Sequence, residues 1–140
     1  MIHNPKVHGP LLRVKSHYNL SSNDFVVTGM AALAVSVRRQ IDPQHISISI
    51  KKDVWDKLIA KYPNLKAETV KNSIRNQRYI RLLSDVYAEC EDVPSKDINW
   101  YSGYQFLKAK VLKKELVGLR AEATKKKNQE FYDKLLEQFK

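Results

Sequence analysis

The sequence predicts a mainly α domain with one small β-hairpin, arranged as a winged helix-turn-helix and extended by a long C-terminal helix. Three observations predict it. ISISI at 46–50 alternates isoleucine and serine with the period of two that marks a strand. Two helical patterns follow, separated by Tyr62-Pro63-Asn64, where proline removes a backbone donor and restricts the residue before it. Tyr79 to Leu83 and Val86 to Cys90 then read as two strands around Ser84-Asp85. Strand, helix, turn, polar helix and hairpin is the element order of a winged helix, and it places the second helix in a DNA groove.

Residues 1–19 read as a basic N-terminal arm. They hold two prolines, Gly9, three of the four histidines and Lys6, Arg13 and Lys15, and nothing periodic precedes the short LLRV. An extended arm of this kind either runs along DNA beside a docked helix or is a terminus without a role. Residues 20–99 read as the winged-helix domain. Ser21-Ser22-Asn23-Asp24 offers side-chain oxygens to the free amides of a first helical turn. The run FVVTGMAALAVSVRRQ that follows is apolar almost all round, with Phe25, Val26, Met30, Leu33, Ala34 and Val37, which predicts a helix in the middle of the core. Arg38 and Arg39 suit its C-terminal end, and Asp42-Pro43 turns the chain into the strand.

The first helix after ISISI buries Val54 and Leu58, with Trp55 and Ile59 beside them. The second is expected from about Lys66 to Asn76, with Val70 and Ile74 inward and polar residues elsewhere. Residues 91–104 read as a linker whose Trp100, Tyr101 and Tyr104 pack it onto the domain, a base-stacking platform being the alternative. Residues 100–140 form the third segment. From Gln105 the chain reads as one long helix, or two, for packing or dimerisation. Its stripe of Phe106, Leu107, Val111, Leu112, Leu116 and Leu119 resumes at Phe131, Leu135, Leu136 and Phe139 after the interruption around Lys125-Lys126-Lys127. That lysine run is either a solvated face or a phosphate-contacting one.

The 140 residues carry 25 Lys+Arg against 15 Asp+Glu, a formal charge of +10, which favours polyanionic partners. The excess is uneven. From Lys51 to Leu83 nine basic residues stand against three acidic ones, whereas from Ser84 to Asn99 five acidic residues stand against Lys96. The single Cys90 forms no internal disulfide and fits a reducing cytosol. No run approaches the roughly 18 apolar residues of a membrane span, and the N-terminus lacks a signal-peptide pattern. A cytoplasmic protein, associated with the nucleoid when bound, is the expectation.

Catalytic and cofactor chemistry has no positive support. The four glycines are scattered, so no phosphate loop is formed, and the histidines lack partners at metal-ligand spacing. No serine sits in a nucleophile elbow. The expectation is a non-enzyme without metal or cofactor. Nucleic-acid chemistry has support instead. Arginine reads guanine edges bidentately, asparagine reads adenine, and lysine supplies charge. Lys71, Asn72 and Arg75 are the expected central reading positions, with Lys66 and Thr69 on phosphates at the helix start. Asn76, Arg78 and Arg81 fall where the wing begins, and Lys125, Lys126 and Lys127 complete the candidate set. A merely soluble surface helix is the competing reading of the same residues.

LSSNDF, ISISI, KKDVWDKLI, TVKNSIRN and RYIRLLSDVYAE together resemble the winged helix of small plasmid and phage replication initiators and related regulators. The resemblance implies a protein that binds duplex DNA at origin repeats or operators, often as a homodimer, with no membrane partner. The chain length fits a regulator or an accessory factor of a mobile element. Two other likenesses compete. ISISIKKDVWDKLIAKYPNLKAETVKNSI is similar to a ribbon-helix-helix module, in which Ser47, Ser49 and Lys51 of a dimer would read the major groove. ISISIKKDVWDKLI with a basic C-terminal helix is similar to the fertility-inhibition RNA chaperones, which implies structured RNA as the ligand. A phage-type inhibitor docking an acidic protein is the reading of a different class.

Overall fold

The computed structural model describes residues 5–36, 45–69 and 78–139, and they form an α/β fold rather than a winged helix. Seven strands make one mixed sheet: β1 (Phe25–Thr28), β2 (Ile46–Ile50), β3 (Ala67–Thr69), β4 (Arg78–Leu83), β5 (Val86–Cys90), β6 (Ile98–Tyr101) and β7 (Tyr104–Leu107). Their order is β3-β4-β5-β2-β1-β7-β6, with β2/β5 and β1/β7 parallel and every other neighbour antiparallel. The helices are α1 (Pro5–Tyr18), α2 (Gly29–Ser36), α3 (Lys52–Lys61), α4 (Ala109–Glu122) and α5 (Lys126–Leu136). A winged helix with one small hairpin has no place for a seven-stranded sheet containing two parallel pairs. The winged-helix expectation is therefore overturned by the sheet itself.

Several local readings hold. ISISI is β2, the amphipathic helix after it is α3, and Tyr62 closes that helix with its amide on the Leu58 carbonyl. The hairpin around Ser84-Asp85 is β4 and β5. The C-terminal region is two helices only from Ala109, joined by a short loop that Arg120 and Asp133 bracket with a 2.8 Å ion pair. The helix expected from Gln105 is corrected at its start, because Gln105, Phe106 and Leu107 belong to β7.

Other readings are corrected. The expected arm is α1, whose Val7, Leu11, Val14 and Tyr18 recur at helical spacing and are all buried. Pro10 sits inside it, where it forfeits one helix hydrogen bond. The expected core helix from Phe25 begins instead as β1. A strand buried on both faces is apolar at every position, so period alone does not separate it from a buried helix. Gly29, at φ +60°, ends that strand and lets α2 start at once; the position lies within 3.4 Å of the Ser47 side chain for any added Cβ. The expected linker forms the hairpin of β6 and β7. Ser102 and Gly103 both take positive φ, as two-residue hairpin turns require.

Register assigns the two sheet faces. Phe25, Val27, Ile46, Ile48, Ile50, Val86, Ala88 and Phe106 share one. That face is apolar and lies in the main core with α1 residues Val7, Leu11 and Val14. Lys15 of α1 lies 4.9 Å over the Tyr104 ring, and the Tyr18 hydroxyl donates to the Leu82 carbonyl. Tyr18 and Tyr62 meet edge to face at 5.0 Å, which ties α1 to α3. The opposite face carries Val26, Thr28, Ser47, Ser49, Tyr87 and Glu89. α4 packs against both α2 and α5 and buries Leu112 and Leu116.

Candidate nucleic-acid interface

The candidate residues do not converge on one helix. Lys66 is an exposed residue just before β3, and Ala67–Thr69 is a strand paired with β4, so no helix starts at Lys66. Thr69 lies in β3 and Arg78 in β4, opposite one another in the ladder. Lys71, Asn72, Arg75 and Asn76 fall outside the described residues. Arg81 lies on β4, but its Nε donates to Glu68 at 2.8 Å and its guanidinium stacks 5.3 Å from the Tyr87 ring. It is thereby occupied within the sheet. Two basic residues of α1 are similarly engaged: Arg13 pairs with Asp85, and Lys15 donates to the Ser22 hydroxyl at 3.1 Å.

Lys125, Lys126 and Lys127 stand differently. Lys125 caps α5 without a side-chain hydrogen bond, and the other two fill its first turn, where no acidic residue is present. All three are exposed, and none has an ion-pair partner among the described residues. Cations at a helix N-terminus oppose the macrodipole, each by a few tenths of a kcal/mol. Local helix electrostatics therefore gives no reason for three of them there. A phosphate would be met by their charge and by the free amides of the first turn together. Exposed Lys110, Lys113 and Lys114 on α4 enlarge the basic surface of the two-helix unit. They were missed as candidates, although the KAKVLKK pattern shows them flanking the buried Leu112.

The polar sheet face holds a second constellation. Thr28, His45, Ser47, Ser49 and Gln105 are all buried. Gln105 Nε2 donates to the carbonyls of Ser22 and Phe25 at 2.9 and 3.1 Å, and Ser49 donates to Glu89 at 3.3 Å. These groups are satisfied and fix strand geometry. His45 is not: its ring meets Tyr87 edge to face at 5.4 Å, and its Nε2 has no hydrogen-bond partner among the described residues. Tyr18, Lys57, Lys61 and Tyr62 edge an open cleft of about 350 Å³ where α1 and α3 both end. Lys61 stands in the last turn of α3, where a cation suits the helix dipole, and lies 5.6 Å over the Tyr62 ring.

The chain matches no protein-family model, no curated protein and no solved structure. Its chemistry must be read from its own residues. Among the described residues no three His, Cys, Asp or Glu side chains are grouped as metal ligands, and no described helix is long and apolar enough to cross a membrane.

Burial holds the His45 imidazole below its ordinary value of about 6.5. The neutral ring is the folded form, so the unfolded chain takes up the proton first as the solution is acidified. The His45 contribution to stability is complete above about pH 6.5 and is lost as the pH falls from there through the lower folded value. In urea titrations across this range, His45→Gln should therefore show a shallower fall than the native chain. Parallel curves would mean that His45 takes no part in the acid response.

Proposed function

We propose that this protein is a non-catalytic nucleic-acid-binding protein that grips the phosphate backbone, duplex DNA foremost, through the lysines of the α4–α5 hairpin. The observation that carries the reading is the exposed trio Lys125, Lys126 and Lys127 at the start of α5, without an ion-pair partner among the described residues. Around it, nine basic residues stand against four acidic ones from Lys108 to Leu136. Phosphate contacts of this kind position a protein on a polymer and carry no sequence information by themselves. The reading thus separates affinity, which these lysines supply, from any preference for a site.

Fluorescence anisotropy against duplex DNA, single-stranded DNA and an RNA hairpin, each at several salt concentrations, tests it. Simultaneous replacement of Lys125, Lys126 and Lys127 by alanine should weaken binding to all duplex sequences alike. It should also reduce the slope of log affinity against log salt by roughly 2 to 3, the release expected for three phosphates. An unchanged slope would remove these lysines from the interface, and a preference for the hairpin would replace DNA by structured RNA.

A further inference from the structure

The β6–β7 hairpin ends the sheet with two aromatic side chains in water. Trp100 is 57% exposed and Tyr101 42% exposed, whereas Tyr104, across the turn, is buried. Register puts Trp100 opposite Gln105 and Tyr101 opposite Tyr104, so the two rings leave opposite faces of the edge strand. Tyr101 rests against Phe106 at 6.3 Å. Trp100 has no ring partner and no side-chain hydrogen bond among the described residues. An indole left in solvent forgoes the burial of a large apolar surface, and such a group is characteristic of contact sites.

The charge around it selects the partner. Between Ser95 and Lys110 the chain carries Lys96, Lys108 and Lys110 and one carboxylate, Asp97. The Lys108 amide donates to the Asp97 carbonyl at 2.9 Å, which places Lys108 beside Lys96 at the base of the hairpin. At the strand rise of about 3.3 Å per residue, the Lys108 backbone lies roughly 10 Å along the hairpin from the level of Trp100. Exposed aromatic faces with lysines alongside suit a polymer that offers flat rings and phosphates together. Base faces are available only where bases are unpaired.

We propose that Trp100 is a stacking residue for an unpaired base, so that the edge of β6 grips single-stranded nucleic acid while the α5 lysines grip backbone. The inference rests on the nucleic-acid reading and adds to the duplex grip of the α5 lysines a second, single-stranded mode and the residue that senses it. In a Trp55→Phe background Trp100 is the sole tryptophan, because the chain has two. Titration with a short oligothymidylate should quench its emission, and titration with a matched duplex should not. Trp100→Ala should weaken oligothymidylate binding by roughly tenfold or more, as loss of one base stack does, and leave duplex affinity unchanged. Trp100→Phe, which keeps a ring, should recover most of the loss.

Oligothymidylate binding without quenching, or equal weakening on both polymers, would overturn the stacking role and leave the lysine interface standing. Binding to neither polymer would remove the nucleic-acid reading as a whole. Concentration-dependent self-association abolished by Trp100→Ala would make the β6 edge a contact between copies and likewise overturn the proposal.

Discussion

Leu11→Ala should lower the unfolding free energy by about 3 kcal/mol, within the range for leucines truncated in a well-packed core. Leu11 is fully buried at the centre of α1, with Val7 and Val14 one turn to either side on the same stripe. Removing its branched end leaves a cavity against the sheet that neighbouring side chains fill only partly. Urea unfolding followed by circular dichroism measures the loss. A basic arm lying on DNA would respond in the opposite manner. There the substitution would fall within about 0.5 kcal/mol, as surface changes do, and would disturb binding alone. A small effect would therefore detach α1 from the core.

Val26→Pro is expected to be more severe still. β1 lies inside the sheet with β2 on one side and β7 on the other, so both of its edges are engaged. Proline there removes a ladder donor and sets its ring against a neighbouring strand, at a cost of about 3 kcal/mol or more. Comparison with Val26→Ala separates this backbone effect from the loss of the valine side chain, which is buried. If the run from Phe25 were a helix capped by Ser21 to Asp24, residue 26 would lie in its first turn, where proline is tolerated. Folding of Val26→Pro as well as Val26→Ala would thus contradict the strand.

These two substitutions mark where the sequence misleads. β2, α3 and the β4–β5 hairpin were legible because each is announced locally, by alternation, by an amphipathic stripe ending at Tyr62-Pro63, and by a short polar turn. α1 has an equally regular stripe, but two prolines and a glycine within its 14 residues argue for an arm. β3 has no local signal at all. Alanine and glutamate are weak strand formers, and Ala67–Thr69 is extended because β4 pairs with it. The order of strands was unreadable for a related reason, since parallel neighbours are joined by long crossovers whose ends carry no mark of one another.

The candidate site divides in the same way. Lys125 to Lys127 were visible as a run, and the structure adds that they open a helix without acidic company. Arg81 read as a free cation because Glu68, its partner, lies on another strand. Trp100 and Tyr104 looked alike as aromatic anchors. A two-residue turn with positive φ at Ser102 and Gly103 sends one into the core and leaves the other outside.

The parallel pairing of β1 with β7 has a consequence for the order of events at the ribosome. All five strands from β1 to β5 are synthesised well before β7. Until Tyr104–Leu107 leaves the exit tunnel, β1 is the open border of an unfinished sheet, with the bonding groups of an apolar strand facing water. The emerging chain thus passes through an interval in which a strand that ends up inside the finished sheet is its most adhesive one. Closure comes from the last third of the message, and the same β-hairpin that closes the sheet there also carries Trp100. A nascent chain stalled before that hairpin would hold every residue of the apolar strand and lack the element that covers its edge.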